Sequence, residues 1–222
     1  MKTTIISAIY DNYDIPKPVL PQTGIEVEWI MVTDTLKTAE LARSAGWMAI
    51  VEPRKHVHPN RAAKTPKCLP WLYVTTDSSI WIDGSFRVVS PRFADDVLKY
   101  AQPIAQFKHP WRDCAYDEAV ECINIPKYAI EPLEEQIKKY YDEGLPANWG
   151  LWATGVIARH HTPQVINMGF EWMSDIHRWS YQDQVSQPAA LFHNGLRPIE
   201  FPGNHLANQW LAYQGSGRHS HG

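Results

Sequence analysis

The chain has 222 residues, 44% hydrophobic and 20% charged, which suits one α/β domain with a full core and argues against global disorder. Its net charge of −3 supplies no field for holding a polyanion non-specifically, so a nucleic acid would need a local basic groove. Cys68, Cys114 and Cys122 are odd in number and form no C-x-x-C pair, which reads as reduced thiols in an intracellular chain rather than a disulfide framework or zinc knuckle.

Thr3–Tyr10 is rich in β-branched residues and is predicted as a buried strand, broken by Asp11, Asn12 and Asp14. The segment preceding that break is too short and too soon acidic for a signal peptide, and no stretch has the roughly 20 apolar residues of a membrane span. A cytoplasmic protein is therefore expected. Val27–Thr33 predicts a second strand ending at Asp34; Leu36–Ala45 predicts a helix stopped by Gly46; Trp47–Val51 predicts a third strand. Asn60 is expected to cap a helix to about Trp71, made irregular by Pro66 and Pro70. Ser79–Ile82 is a fourth strand, and Ser90-Pro91 has the cap-and-proline form that opens a helix to Tyr100.

Further strands are expected at Ile104–Phe107 and Leu151–Arg159, with helices at Arg112–Cys122, at Leu133–Glu143 and from Thr162-Pro163 to about Trp179. Ser180–Asp183 has the capping-box form before a last helix to Phe192. From His193 onward periodicity is lost, and the tail GSGRHSHG is expected to be flexible, with His219 and His221 as weak metal ligands at most. Strands alternating with helices predict a mostly parallel central sheet flanked by helices, with ligands at the carboxyl ends of its strands. Tyr10, Asp11, Asp34 and Asp83 end strands there.

Asp83-Gly84-Ser85 has two readings. A carboxylate at a strand end beside glycine holds a divalent cation and lets a diphosphate approach the backbone. Alternatively, Asp-Gly is a hairpin turn between Ile80–Ile82 and Phe86–Val89. Upstream, Arg61 and Lys64 share a helix face, with Lys67 following on it.

The blocks AIYDNYD, R-x-x-K-x-x-K-x-L-P, SIWIDGS, HPWRDCAYDEA, Y-x-x-E-G-L-P and YQDQVS occur in this order. Together they resemble the glycosyltransferase-like domain typified by plant proteins of the TOD and MUCI group, with bacterial and phage members, over roughly Thr3 to Phe192. The resemblance implies a GT-A-like (Rossmann-like) single domain over residues 1–214, with a nucleotide-binding half to about 100 and an acceptor half beyond it. It implies a glycosyltransferase that moves a sugar from a nucleotide-sugar, a UDP-sugar by preference, to an acceptor hydroxyl with Mn²⁺ or Mg²⁺. One plant member is named a ceramidase, so a metal-assisted hydrolase stays open, as does a non-catalytic carbohydrate-binding protein.

On that reading Tyr10, Asp11, Asp34, Arg61, Lys64, Asp83, Gly84 and Ser85 bind the donor. Asp83 takes the place of the metal-binding acid, with Ser85 where a second acid would stand, and His205 or His193 supplies a further ligand. Asp183 and Glu118 are the candidate catalytic carboxylates. His109, Arg112, Trp149, Gly150 and Gln184 are candidates for sugar or acceptor binding. The acceptor is a protein, a glycan or a modified nucleic-acid base; oligomeric state has no sequence signature here. A phage source would place the protein in the host cytoplasm.

Overall fold

β-branched runs bounded by turn residues become the strands of one sheet, because both faces of each run are apolar and each face finds a helix to cover it. The computed structural model describes residues 2–56 and 58–215, so the tail histidines lie outside the described residues. Strands β1 (Lys2–Ala8), β2 (Glu26–Thr33), β3 (Met48–Val51) and β4 (Ser78–Ile82) are followed by β5 (Phe86–Val88), β6 (Ile104–Lys108), β7 (Trp152–His160), β8 (Ile199–Glu200) and β9 (Leu211–Tyr213). Helices are α1 (Leu36–Ser44), α2 (Pro59–Cys68), α3 (Phe93–Leu98), α4 (Ala115–Ile123), α5 (Leu133–Asp142), α6 (Pro163–Arg178) and α7 (Asp183–His193).

Seven strands form the main sheet in the order β3-β2-β1-β4-β7-β6-β8. The pairs β1–β2, β2–β3, β1–β4 and β6–β8 are parallel, and only β7 runs against its neighbours. From β1 the chain builds outward to β2 and β3, then returns to lay β4 on β1's other side. The reversal leaves a crevice outside the carboxyl ends of β1 and β4, where open α/β sheets bind ligands. Successive residues serve opposite faces: Ile6 and Trp81 pack with α2 and α4–α7, whereas Ile5, Ile80 and Ile82 pack with α1, α3 and Trp210.

Local signals acted as expected in several places. Thr162 caps α6 by accepting from the Val165 amide, and Gly144 ends α5 at φ +85°. Others were overruled. The N-cap of α2 is His58 with Pro59 at the first turn, not Asn60. Helix α3 starts at Phe93, three residues after Ser90. The capping box at Ser180 does not form: its hydroxyl donates to Gln136 Oε1 at 2.7 Å, and Gln182 precedes α7. Asp83–Phe86 is a turn, closed by the Phe86 amide on the Asp83 carbonyl at 2.9 Å, but not a hairpin. Strand β5 turns away from β4 and pairs with β9, a strand without sequence signal.

Candidate functional site

The crevice holds a cavity of about 330 Å³. Its walls include Tyr10 and Asp11 after β1, Lys64 and Lys67 on α2, and Asp83, Gly84 and Ser85 after β4. Gln184 on α7 and His205 and Tyr213 from the C-terminal segment close it.

The β1 side is shaped by a tight turn. Tyr13 donates its amide to the Tyr10 carbonyl at 3.1 Å, and the residues between, Asp11 and Asn12, have φ of 57° and 51°. Asp and Asn tolerate this left-handed region better than other side-chain-bearing residues. The turn is pinned to the start of α1: Asn12 Oδ1 accepts from Thr35 and Thr38, and the Asp11 amide donates to Asp34 Oδ1 at 2.8 Å. Asp34 also pairs with Arg54 at 2.9 Å, so this carboxylate is engaged in holding the turn. Tyr10 donates its hydroxyl to Glu52 at 2.8 Å, which fixes the ring at the cavity wall.

A cluster of four charges forms the floor. Asp83 Oδ1 accepts from the Trp81 indole at 2.7 Å and lies 3.3 Å from Lys67 Nζ. Lys67 Nζ also reaches Thr154 Oγ1 at 3.2 Å and Asp183 Oδ2 at 2.5 Å, and Lys64 Nζ lies 2.9 Å from the same Asp183 oxygen. The Lys67 side chain is only 2% exposed; burial works against its charge, but Asp183 and Asp83 outweigh it and raise its pKa above the ordinary lysine value. Asp183 is buried too, and burial alone would raise its pKa; Lys64 and Lys67 reverse this and hold the carboxyl well below the usual range. Asp83, by contrast, keeps 40% of its side chain exposed.

The structure separates the sequence candidates. Tyr10, Asp11, Lys64, Asp83, Gly84, Ser85, Gln184 and His205 meet around the cavity. Arg61 does not: its guanidinium is clamped by Glu131 at 2.6 Å and by the carbonyls of Ile176 and Trp179. His193 lies elsewhere, paired with Glu171 and 3.7 Å from Glu143. Asp183 is a poor proton acceptor, because two ammonium groups stabilise its ionised form. Glu118 is buried and held by Arg112 Nε at 2.6 Å, with the Gln182 and Gln184 amides on its other oxygen at 3.2 and 3.4 Å. His109 is buried beside it, its Nδ1 accepting the Arg112 amide at 3.1 Å. Trp149 packs on Trp152 and Phe192. Gly150 makes room for the Trp152 ring, which a Cβ there would meet at 2.5 Å, rather than for a ligand.

Several wall residues lay beyond the sequence reading. Trp81 lies on β4 two residues before Asp83, which follows the strand, and the two-residue period places both on one face, a signal that was available. Gly155 on β7 makes room first for the Phe86 ring, which an added Cβ would meet at 2.9 Å, with Asp83 Oδ2 next at 3.3 Å. Gly155 carries no local signal, since only the antiparallel run of β7 beside β4 brings it there, its carbonyl accepting the Asp83 amide at 2.8 Å.

A family model described as TOD1/MUCI70, glycosyltransferase-like domain, matches residues 1–197. The chain belongs to this family. No curated protein matches it. Among solved structures it is similar to the CMP:2-keto-3-deoxy-manno-octonic acid synthetase in complex with CTP, at 15% identity, with 90% of this chain and 89% of that one covered and a TM-score of 0.47. Among the described residues no helix is long and apolar enough to cross a membrane.

A divalent ion is the expected partner of a sugar-nucleotide diphosphate, and the cavity fits one in part. His205 has a buried Nδ1 without a hydrogen-bond partner. Burial lowers its pKa and Asp83 opposes the shift, so the ring is neutral near pH 7 and available as a ligand. Among the described residues no three His, Cys, Asp or Glu side chains converge. Asp83 and His205 would therefore hold an ion whose other ligands are phosphate oxygens and water, the usual case for Mg²⁺.

Proposed function

We propose that this family member is a nucleotide-sugar-dependent glycosyltransferase whose donor occupies the crevice between Tyr10 and Asp83. The observation that carries this reading is the cavity at the strand-order reversal, lined by aromatic rings as well as by Lys64, Lys67 and Asp83. Tyr10 meets the base, the Asp11 turn meets the ribose, and Lys64 and Ser85 meet the diphosphate. Gln184 meets the transferred sugar. Residues up to about 100 then form the nucleotide half, and those from about 101 to 214 the acceptor half.

Charge counting supports a cation that enters with the donor. Lys64, Lys67, Asp83 and Asp183 sum to zero, so the negative charge of a diphosphate is not compensated by the floor alone. Mn²⁺ or Mg²⁺ on Asp83 and His205 would supply that charge and stabilise the departing nucleotide diphosphate. Asp183 serves as the anchor of Lys64 and Lys67.

The test is a thermal-shift panel of UDP-, GDP-, dTDP- and CMP-sugars with and without Mn²⁺, on the wild type and Asp83→Asn. One nucleotide is expected to stabilise the wild type by about 2.7 kcal/mol at a hundredfold excess over its Kd, more strongly with Mn²⁺, and the variant far less. Stabilisation by none of them, or turnover of an amide or glycoside without any nucleotide, would sink the proposal.

A further inference from the structure

Trp111 is 73% exposed, the most accessible tryptophan among the large apolar side chains at the surface. It belongs to neither core cluster. Its loop is nonetheless tightly held. The His109 amide donates to the Leu151 carbonyl at 2.9 Å, and the Gly150 amide donates to the Asp113 carbonyl at 3.0 Å. On either side of the ring, His109 Nδ1 accepts the Arg112 amide and Arg112 Nε pairs with buried Glu118. An indole presented to water on a pinned loop contributes nothing to the core, and its ordering has already been met by the fold.

Its location gives it a partner. Strand β6 runs parallel to β4, since both are antiparallel to β7, so Lys108 and His109 end at the same sheet edge as Asp83. Strand β7 lies between the two ends, its register against β6 shifting between Gln106 and Phe107. The ring of His109 lies edge-on to Trp111, with centroids 5.7 Å apart. Glu118, beside His109, accepts from Gln184 on the cavity wall at 3.4 Å.

We infer that Trp111 is the stacking platform of an acceptor subsite that takes a carbohydrate, the apolar face of one pyranose ring lying on the indole next to the donor cavity. The inference rests on the transferase reading. A sugar is favoured because the flat ring is bordered by hydrogen-bonding groups suited to hydroxyls. Arg112 spends Nε on Glu118 and keeps its terminal nitrogens, and Lys108 is exposed.

The experiment uses the full chain labelled with 5-fluorotryptophan and observed by ¹⁹F NMR. The Trp111 resonance is assigned by its loss in Trp111→Phe, and the Trp81 resonance, from the indole bonded to Asp83, by its loss in Trp81→Phe. Neutral di- and trisaccharides of β1,4- and α1,4-linked hexoses, pentoses and N-acetylhexosamines are titrated with and without UDP-sugars, alongside Ser/Thr-containing peptides. At least one oligosaccharide is expected to shift the Trp111 resonance saturably, and in Trp111→Ala acceptor-dependent release of nucleotide is expected to fall at least tenfold. A Trp111 signal unmoved by every saccharide, moved only by peptides, or a Trp111→Ala variant that transfers to saccharides as the wild type does, would overturn the inference. The Trp81 resonance keeps the two proposals apart: silence there towards every nucleotide counts against the donor site, whatever Trp111 does.

Discussion

The two ends of strand β4 are both polar, and they differ in what is left over. At the amino end, Ser78 Oγ bonds Thr3 at 2.9 Å, Ser79 Oγ bonds His161 Nε2 at 2.9 Å, and Thr4 bonds Thr76 at 2.9 Å. These hydroxyls are consumed by neighbours within the chain, and Thr3, Thr4, Ser78 and Ser79 are buried. At the carboxyl end Asp83 faces a cavity, Lys64 is partly exposed, and His205 Nδ1 has no partner. A satisfied polar network specifies structure; a network with spare hydrogen-bonding capacity and an opening is where a ligand gains from binding.

This contrast can be broken by substitution. The largest effect is expected below the cavity, at Asp183→Ala, which strands Lys67 in the interior with one carboxylate fewer. Breaking such a buried pair costs about 3–5 kcal/mol, to be read as a lower urea midpoint at unchanged slope. The pH dependence has a definite sign. Because the folded-state carboxyl of Asp183 is held below its ordinary value, its contribution is present above about pH 4 and is lost as pH falls further, and Asp183→Asn abolishes that acid-limb loss. A midpoint unmoved by Asp183→Ala would show that the floor is not held by this pair.

Next comes Asp83→Asn, expected to slow transfer by about 100-fold or more, as loss of one preorganised electrostatic group commonly does, while unfolding changes by less than about 1 kcal/mol. If Asp83→Asn destabilised the protein as much as Asp183→Ala, the carboxyl end of β4 would be structural like its amino end. At that amino end Ser79→Ala is expected to cost about 1–3 kcal/mol by leaving His161 Nε2 without its partner, with nucleotide affinity unchanged in a titration. The mildest effect is the pH profile of His161. Burial pushes its imidazole down to about 4, with Arg159 adding to the shift. Between about pH 6.5 and that value the unfolded chain binds the extra proton, so stability falls as pH falls through this window. His161→Gln is expected to flatten that slope; an equally steep profile in the variant would assign it to another group.

Helix α2 shows how far the sequence could be read. The spacing of Arg61, Lys64 and Lys67 was legible as a basic helix face, and the helix is there. What each cation does was not. Arg61 spans to Glu131 and the end of α6, Lys64 turns to the cavity wall, and Lys67 is sealed beneath it. Three neighbouring cations on one helix become a clip, a cavity-facing group and a buried counter-ion only because α6, α7 and β4 arrive on different sides. The same holds for the acids. Asp83 and Asp183 both look like candidate site carboxylates, yet one is open to the cavity and the other is neutralised inside.

Local sequence determined strands β1–β4, β6 and β7, most helices and the edge of the sheet that carries the candidate site, because hydrophobic period and turn residues act over a few neighbours. Tertiary structure alone decided that β5 leaves β4 for β9, that Gly155 makes room for the Phe86 ring beside Asp83, and that Arg61 and His193 sit away from the cavity. Those outcomes depend on contacts between residues far apart in the chain, where charge and burial are set by whichever element packs alongside.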